Sequence, residues 1–108
     1  MKKLNKKEMS KATGGYYTST TSREEMQRHE GTAVGMYDGW VGNTYVFENI
    51  GTEYIMIGKL IDTYERDGGY GSTVRTHEVQ VIDALYRDEP GTTVYISGSA
   101  YRMFEYID

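Results

Sequence analysis

Few residues of this chain have the type and spacing that metal chemistry requires. The chain has no cysteine, and its two histidines, His29 and His77, belong to no HExxH or similar arrangement of ligands. His77 and Glu78 fall on a predicted strand, where neighbouring side chains point to opposite faces, so they cannot hold one metal together. We therefore expect no metal and no cofactor, and we expect His77 to be a solvated strand residue.

Residues suited to covalent or acid–base catalysis are equally sparse. The run Ser97-Gly98-Ser99 lacks the nucleophile-elbow pattern. Carboxylate pairs such as Asp88 and Glu89 lie beside predicted turns, which favours a role as solvated surface charges. These observations predict a protein that is not an enzyme. The alternative is a catalytic site assembled only in three dimensions, which a pocket with converging polar groups would reveal.

A glycine-rich segment, residues 68–73, separates the two longest predicted strands. Backbone N–H groups of such a segment can form an anion-binding nest, but this one lacks the lysine and the following helix of a P-loop. The composition instead predicts the tip of a hairpin. Aromatic and arginine side chains are enriched in protein-binding surfaces, so we expect four residues near this hairpin to contact a partner. They are Tyr64, Tyr70, Arg75 and His77.

The aromatic content is high, with eleven tyrosines, two phenylalanines and one tryptophan, Trp40. A small β domain with few leucines needs some of these rings in its core and leaves the others exposed. Exposed tyrosines supply a large contact area at a low cost in conformational entropy. We therefore add Trp40, flanked by Asp38-Gly39 and Val41-Gly42, to the candidate partner-binding residues.

Turn residues divide the chain into segments rich in β-branched and aromatic residues. The predicted strands are Thr32–Tyr37, Thr44–Ile50, Glu53–Glu65, Thr73–Tyr86, Thr92–Ser97 and Tyr101–Ile107. Before them, Ser22 and Glu25 match a capping box, which predicts a short helix from Ser22 to about Glu30.

The strand pattern predicts a mainly β, small α+β fold. The third and fourth strands are long for so small a chain, and Gly58 interrupts the third where a bulge or sharp bend would help the sheet to curl. We expect an antiparallel meander that closes into an SH3-like or OB-like half-barrel, with one short N-terminal helix. The pattern leaves the choice between these two topologies open.

Charge is distributed unevenly along the chain. Residues 1–11 carry five lysines and one glutamate, a balance of +4, so a chain of net charge −4 leaves −8 for the other 97 residues. Residues 1–21 also contain few large apolar side chains, which predicts a basic, flexible N-terminal tail or linker followed by a single β-rich domain, residues 22–108. The acidic domain disfavours direct binding of nucleic acid, and we expect no membrane partner.

The first fifteen residues contain a further pattern, in which apolar residues and one acidic residue precede a glycine pair. The residues concerned are Leu4, Glu8, Met9, Ala12, Gly14 and Gly15. This segment resembles a double-glycine leader of the bacteriocin type. The resemblance implies recognition by a peptidase-containing exporter and cleavage after Gly15. The alternative is an ordinary lysine-rich start that ends in a flexible Gly-Gly joint.

These features together predict a cytoplasmic, non-catalytic protein that acts by occupying the surface of another macromolecule. The expected partner is a protein with a basic surface, such as a nucleic-acid-processing complex. By compositional analogy alone, small acidic cysteine-free chains of this kind suggest an inhibitor of phage or mobile-element origin, comparable to anti-CRISPR proteins. The alternative is a secreted, bacteriocin-like product released by cleavage after Gly15.

Overall fold

The structure is a computed structural model, and it describes residues 17–108. The predicted double-glycine leader, Met1 to Gly15, lies outside the described residues. Among the described residues, no helix is long and apolar enough to cross a membrane.

All six predicted strands are present, with boundaries shifted by up to four residues. The elements are α1 (Arg23–Gln27), β1 (Glu30–Val34), β2 (Thr44–Asn49), β3 (Ile55–Gly69), β4 (Ser72–Ala84), β5 (Thr93–Ser97), a 3-10 turn (Gly98–Ala100) and β6 (Tyr101–Tyr106).

The short helix α1 begins with the predicted capping box. The Ser22 hydroxyl accepts a hydrogen bond from the Glu25 backbone N–H at 3.2 Å and lies 3.1 Å from Glu25 Oε1. The first of these bonds satisfies the Glu25 N–H, a backbone donor that a helix start otherwise leaves free. The helix ends at Gln27, three residues earlier than predicted, and buries Met26 against the sheet.

The strands form one antiparallel sheet in the order β1-β6-β2-β3-β4-β5. Strands β2 to β5 form a meander, and β6 returns through the 3-10 turn to pair with β2. The sheet is not closed, because β1 and β5 remain at its two edges. The predicted fold class, a mainly β half-barrel with one short helix, is confirmed.

Both faces of the sheet are covered over part of their area. Successive residues of β2 alternate between the faces, with Tyr45 and Phe47 in one cluster and Val46 in the other. The larger cluster contains Tyr17, Tyr45, Phe47, Tyr54, Met56, Leu60, Val79, Val81, Ala84 and Met103. The smaller cluster, under α1, contains Met26, Val46, Ile55 and Ile57.

Gly58 is the point at which β3 departs from regular pairing. The register with β4 shifts between Ile57 and Gly58, as the predicted interruption required. A Cβ atom at this position would clash with the Val79 side chain and would lie 3.0 Å from the Gln80 carbonyl oxygen. Glycine therefore permits the close approach of the two strands here.

Residues 17–21, which we predicted to be part of the tail, pack on the sheet. Tyr17 is fully buried, and its hydroxyl donates to Asp83 Oδ1 at 2.8 Å, as does the Ser19 hydroxyl at 2.8 Å. The Arg87 backbone N–H donates to the Tyr17 carbonyl at 2.9 Å. The serine- and threonine-rich composition concealed this anchor, since one buried ring and one buried carboxylate are enough to order the segment.

Strands β3 and β4 extend well beyond their neighbours. Pairing with β2 ends at Lys59 and pairing with β5 ends at Thr76. Residues 62–75 are here called the arm, because their β3 part has no neighbouring strand except β4, and their β4 part has none except β3. The arm turns at Tyr70 and Gly71, whose φ values of 52° and 77° are those of a type I′ hairpin turn. The predicted hairpin tip is confirmed, and the arm contributes to an elongated molecule of 55 × 29 × 25 Å.

Candidate aromatic interface

The connection between β1 and β2, residues 35–43, presents large apolar side chains to solvent. We call it the aromatic loop. The exposed fractions are 60% for Tyr37, 75% for Trp40 and 57% for Val41. Isolated exposed apolar residues are normal, but three within five positions form a patch of the kind that marks recognition sites.

The backbone of the aromatic loop is tethered to the sheet. The Tyr45 hydroxyl accepts a hydrogen bond from the Trp40 backbone N–H at 2.7 Å. The Gly42 N–H donates to the Leu60 carbonyl at 2.8 Å, and the Leu60 N–H donates to the Asn43 carbonyl at 2.9 Å. The exposed rings therefore stand on an ordered backbone, which reduces the entropy lost when a partner binds.

Gly39 explains how the loop exposes its neighbours. A Cβ atom at Gly39 would lie 2.9 Å from Met103 Cε and 3.0 Å from Leu60 Cδ2. The backbone of Gly39 thus lies directly on the core, and Trp40 beside it extends into solvent. The Asp38-Gly39 pair predicted a turn within the aromatic loop. Residues 35–37 of this loop, however, were predicted to belong to the first strand.

Arg75 joins the arm to the aromatic loop. Its guanidinium carbon lies 5.1 Å from the centre of the Tyr37 ring, within cation–π range. Its Nη1 atom lies 3.8 Å from Glu65 Oε1 across the arm. The predicted site residue Arg75 therefore contacts Tyr37, a ring that our sequence-based set omitted.

His77 is buried, which differs from the solvated position that we expected. Its side chain is 2% exposed, and its Nδ1 atom lies 2.9 Å from the Thr63 hydroxyl. Burial, with a further contribution from the charge on Arg75, lowers the pKa of His77. A partner on this side of the sheet would meet Arg75 and Tyr37 rather than the His77 ring.

The other predicted site residues are spread over the molecule. Tyr70 is fully exposed at the tip of the arm, and Tyr64 is half-buried at its base, opposite Thr76. The structure thus brings Tyr64, Arg75 and His77 to the base of the arm, while Tyr70 and Trp40 lie in separate elements.

Two clefts adjoin β1, and Ala33 and Val34 line both of them. The first, here called the Trp40 cleft, has a volume of about 630 Å³. Its lining residues are Ala33, Val34, Gly35, Asp38, Trp40, Asn43, Thr44, Tyr45, Glu105 and Tyr106. The second cleft, of about 590 Å³, is lined by Met36, Ile50, the 3-10 turn and β6 residues.

Titratable groups with shifted pKa values lie outside these clefts. Burial raises the pKa of Tyr17, Glu30 and Tyr54, and burial lowers that of His77, but none of the four lines either cleft. A candidate catalytic site would combine a pocket with such a group. Within residues 17–108, no three histidine or acidic side chains are grouped so that they could hold a metal ion.

A pair of carboxyl groups beneath α1 was not foreseen. Burial, together with the neighbouring Glu48 carboxylate, raises the pKa of Glu30 above its ordinary value. Glu48 in turn accepts a hydrogen bond from Arg23 Nη2 at 2.8 Å. The two glutamates belong to different strands, and the sequence contains no signal that would have paired them. Through Arg23, Glu48 links the helix to the sheet.

Comparison with known proteins adds no further information about this arrangement. No protein-family model, no curated protein and no solved structure matches the chain.

Proposed function

We propose that this protein is a non-catalytic binding protein that occupies the surface of a partner protein. The observation that carries the proposal is the aromatic loop, where Tyr37, Trp40 and Val41 are exposed on a backbone tethered to β2 and β3. Rigid aromatic side chains of this kind are the residues that dominate binding energy in protein interfaces.

The charge of the described part favours a basic partner. Residues 12–108 carry a net charge of −8, and the ordered chain from residue 17 onward contains all of these charges. An acidic protein approaches a positively charged surface faster and rejects surfaces of its own sign. A basic channel of a nucleic-acid-processing protein has the required sign. Inhibition by competition for such a channel, in a phage or mobile-element setting, is the form of the proposal that the composition suggested.

The arm extends the surface available for contact. Its residues 62–75 have no neighbouring strand on either edge, and Tyr70 lies fully exposed at the tip. Its base meets the aromatic loop through Arg75 and Tyr37. A partner that contacts both regions would bury more area than the loop alone provides, as a specific interface of about 1,200–2,000 Å² requires.

A capture experiment with matched variants tests the proposal. The wild-type chain, Trp40→Ala and Tyr95→Ala are immobilised separately and exposed to a bacterial lysate at low salt. Tyr95 is the control, because its ring is 62% exposed on β5, at the far edge of the sheet from β1. We expect a protein that wild type and Tyr95→Ala retain and Trp40→Ala does not.

Thermal unfolding of the three proteins completes this experiment. Because Trp40 is 75% exposed, we expect Trp40→Ala to change the free energy of unfolding by less than about 0.5 kcal/mol. Retention of no protein by wild type, or equal retention by all three chains, would contradict the proposal.

A second candidate function is that of a secreted product. The hydrogen bonds that anchor Tyr17 and Ser19 to Asp83 are compatible with it, because they lie after the predicted cleavage position. Tyr17 and Ser19 bind Asp83 directly after the predicted cleavage position, so cleavage after Gly15 would leave this anchor, α1 and all six described strands in the product. Mass spectrometry of culture medium tests this candidate. A secreted chain that begins at Tyr16 would support it, and an intact chain found only inside cells would exclude it.

A further inference from the structure

The Trp40 cleft combines negative charge with aromatic rings. Its ten lining residues include two carboxylates, Asp38 and Glu105, and no lysine, arginine or histidine. Within residues 17–108, neither carboxylate takes part in an ion pair. The volume of about 630 Å³ lies within the range of ligand-binding pockets, roughly 300–1,000 Å³. The cleft is therefore suited to a group that brings a positive charge with it.

The indole of Trp40 is available to such a group. It lines the cleft and is 75% exposed, while the hydrogen bond to Tyr45 holds its backbone in place. Two arginines of residues 17–108 lie over aromatic rings, and both of those rings belong to tyrosines. Tryptophan is the ring that attracts a cation most strongly, and arginine adds a planar face that stacks on it.

Gly35 positions one of the carboxylates. The position that a Cβ atom on Gly35 would take lies only 2.6 Å from Asp38 Oδ2. The Asp38 backbone N–H also donates to the Gly35 carbonyl at 2.9 Å, which closes a turn. The Asp38 carboxylate therefore lies over Gly35, itself a lining residue of the cleft, and the missing side chain at position 35 leaves room for it.

We propose that the Trp40 cleft binds an arginine side chain of the partner. The guanidinium group stacks on the indole of Trp40 and donates hydrogen bonds to the carboxylates of Asp38 and Glu105. Arginine fits this arrangement better than lysine, because its fork of N–H donors matches carboxylates while its plane covers the ring. The inference rests on the proposed function, since it names the side chain of a basic partner that the aromatic loop recognises.

Fluorescence of Trp40, the single tryptophan of the chain, provides the test. The full chain is titrated with three capped tripeptides, glycine–X–glycine, in which X is arginine, citrulline or lysine. We expect a saturable change with arginine and binding at least about tenfold weaker with citrulline, which lacks the charge, equivalent to ~1.4 kcal/mol. We expect lysine to bind more weakly than arginine.

Two variants distinguish the effect of the carboxylate charges from the effect of where the Asp38 carboxylate lies. The double variant Asp38→Asn, Glu105→Gln removes both carboxylates and should reduce arginine binding at least about tenfold. Gly35→Ala keeps both charges but displaces the Asp38 carboxylate, so it should weaken binding with little change in thermal stability. Unchanged binding by both variants would contradict the assigned site.

The outcomes also separate this inference from the proposed function. No saturable response to the arginine peptide, or equal responses to arginine and either other peptide, would overturn the inference. If the capture of a partner still depends on Trp40 in that case, the proposed function stands without it. If the capture does not depend on Trp40 and the arginine peptide gives no selective response, both fail.

Discussion

The β3–β4 hairpin contains two regions that share the same antiparallel backbone pairing. One region is buried between neighbouring strands, and the other is exposed to solvent. In the inner region, residues such as Met56, Leu60 and Val79 are buried, and the strands lie between β2 and β5. In the arm, residues 62–75, neither edge is paired further and most side chains face solvent. Strands β3 and β4 therefore belong to the core at one end and protrude from the sheet at the other.

The contrast indicates which residues are available for binding. The inner region is constrained by packing on both faces, so its side chains are needed for stability. The arm is held by its hydrogen-bond ladder and by the turn at Tyr70 and Gly71, so its side chains are free to contact another molecule. The aromatic loop meets the hairpin where these regions join, through Tyr37 and Arg75.

The largest effect is expected in the inner region. Gly58→Ala forces a Cβ atom against the Val79 side chain and places it 3.0 Å from the Gln80 carbonyl oxygen. We expect a loss of about 1–3 kcal/mol in the free energy of unfolding, measured by urea denaturation. Gly51→Ala is the control, since the nearest atom to its Cβ is 3.7 Å away, and it should have almost no effect. Equal losses in both variants would contradict the tight contact at Gly58.

A smaller, pH-dependent effect is expected at the boundary between the regions, where His77 is buried beside Thr63. An unfolded chain binds a proton at histidine below about pH 6.5, whereas burial lowers the pKa of His77 in the folded protein. The unfolded state then binds more protons, so the free energy of unfolding falls as the pH drops below about 6.5.

Thermal unfolding at about pH 7.5 and 5.5 measures this effect. Glutamine does not titrate, so the His77→Gln variant lacks this effect. When the pH is lowered from about 7.5 to 5.5, the melting temperature of the wild type should therefore fall further than that of the variant. Other titrating groups, Glu30 among them, are present in both proteins and cancel in the comparison. The same pH dependence in both would place His77 in contact with solvent.

The smallest effect on stability is expected in the arm. Replacing residues 67–73 with Asn-Gly would join Arg66 to Val74, which face each other in the register. We expect the free energy of unfolding to change by less than about 1 kcal/mol, because the removed residues lie outside both core clusters. A loss as large as that of Gly58→Ala would mean that the arm supports the core.

The secondary structure was largely predictable because its causes are local. The capping box of Ser22 and Glu25 marks the start of α1, and the glycine-rich segment before Thr73 marks the tip of the arm. The irregular pairing at Gly58 was also predicted, since a glycine inside a strand often marks a bulge or a close approach of two backbones. The end of α1 was less accurate, because the chain leaves the helix to enter β1 at Glu30.

The candidate site was only partly predictable. Trp40 and Arg75 were selected by residue type, and both belong to the arrangement around the aromatic loop. Tyr37, Asp38 and Glu105 were not selected, because their proximity to those residues depends on how the loop lies against β6 and the base of the arm. These residues are far apart in the sequence, so no local pattern indicates that they lie near one another in the fold.

The class of fold, the positions of the strands and the acidic character of residues 12–108 could be read from the sequence, since they follow from local residue preferences and from a sum of charges. Which aromatic rings are buried became apparent only from the folded chain. Tyr17 and Tyr45 are core residues, whereas Trp40 is exposed. The physical reason is that burial depends on which other strands cover a face, and that is set by the pairing of distant segments.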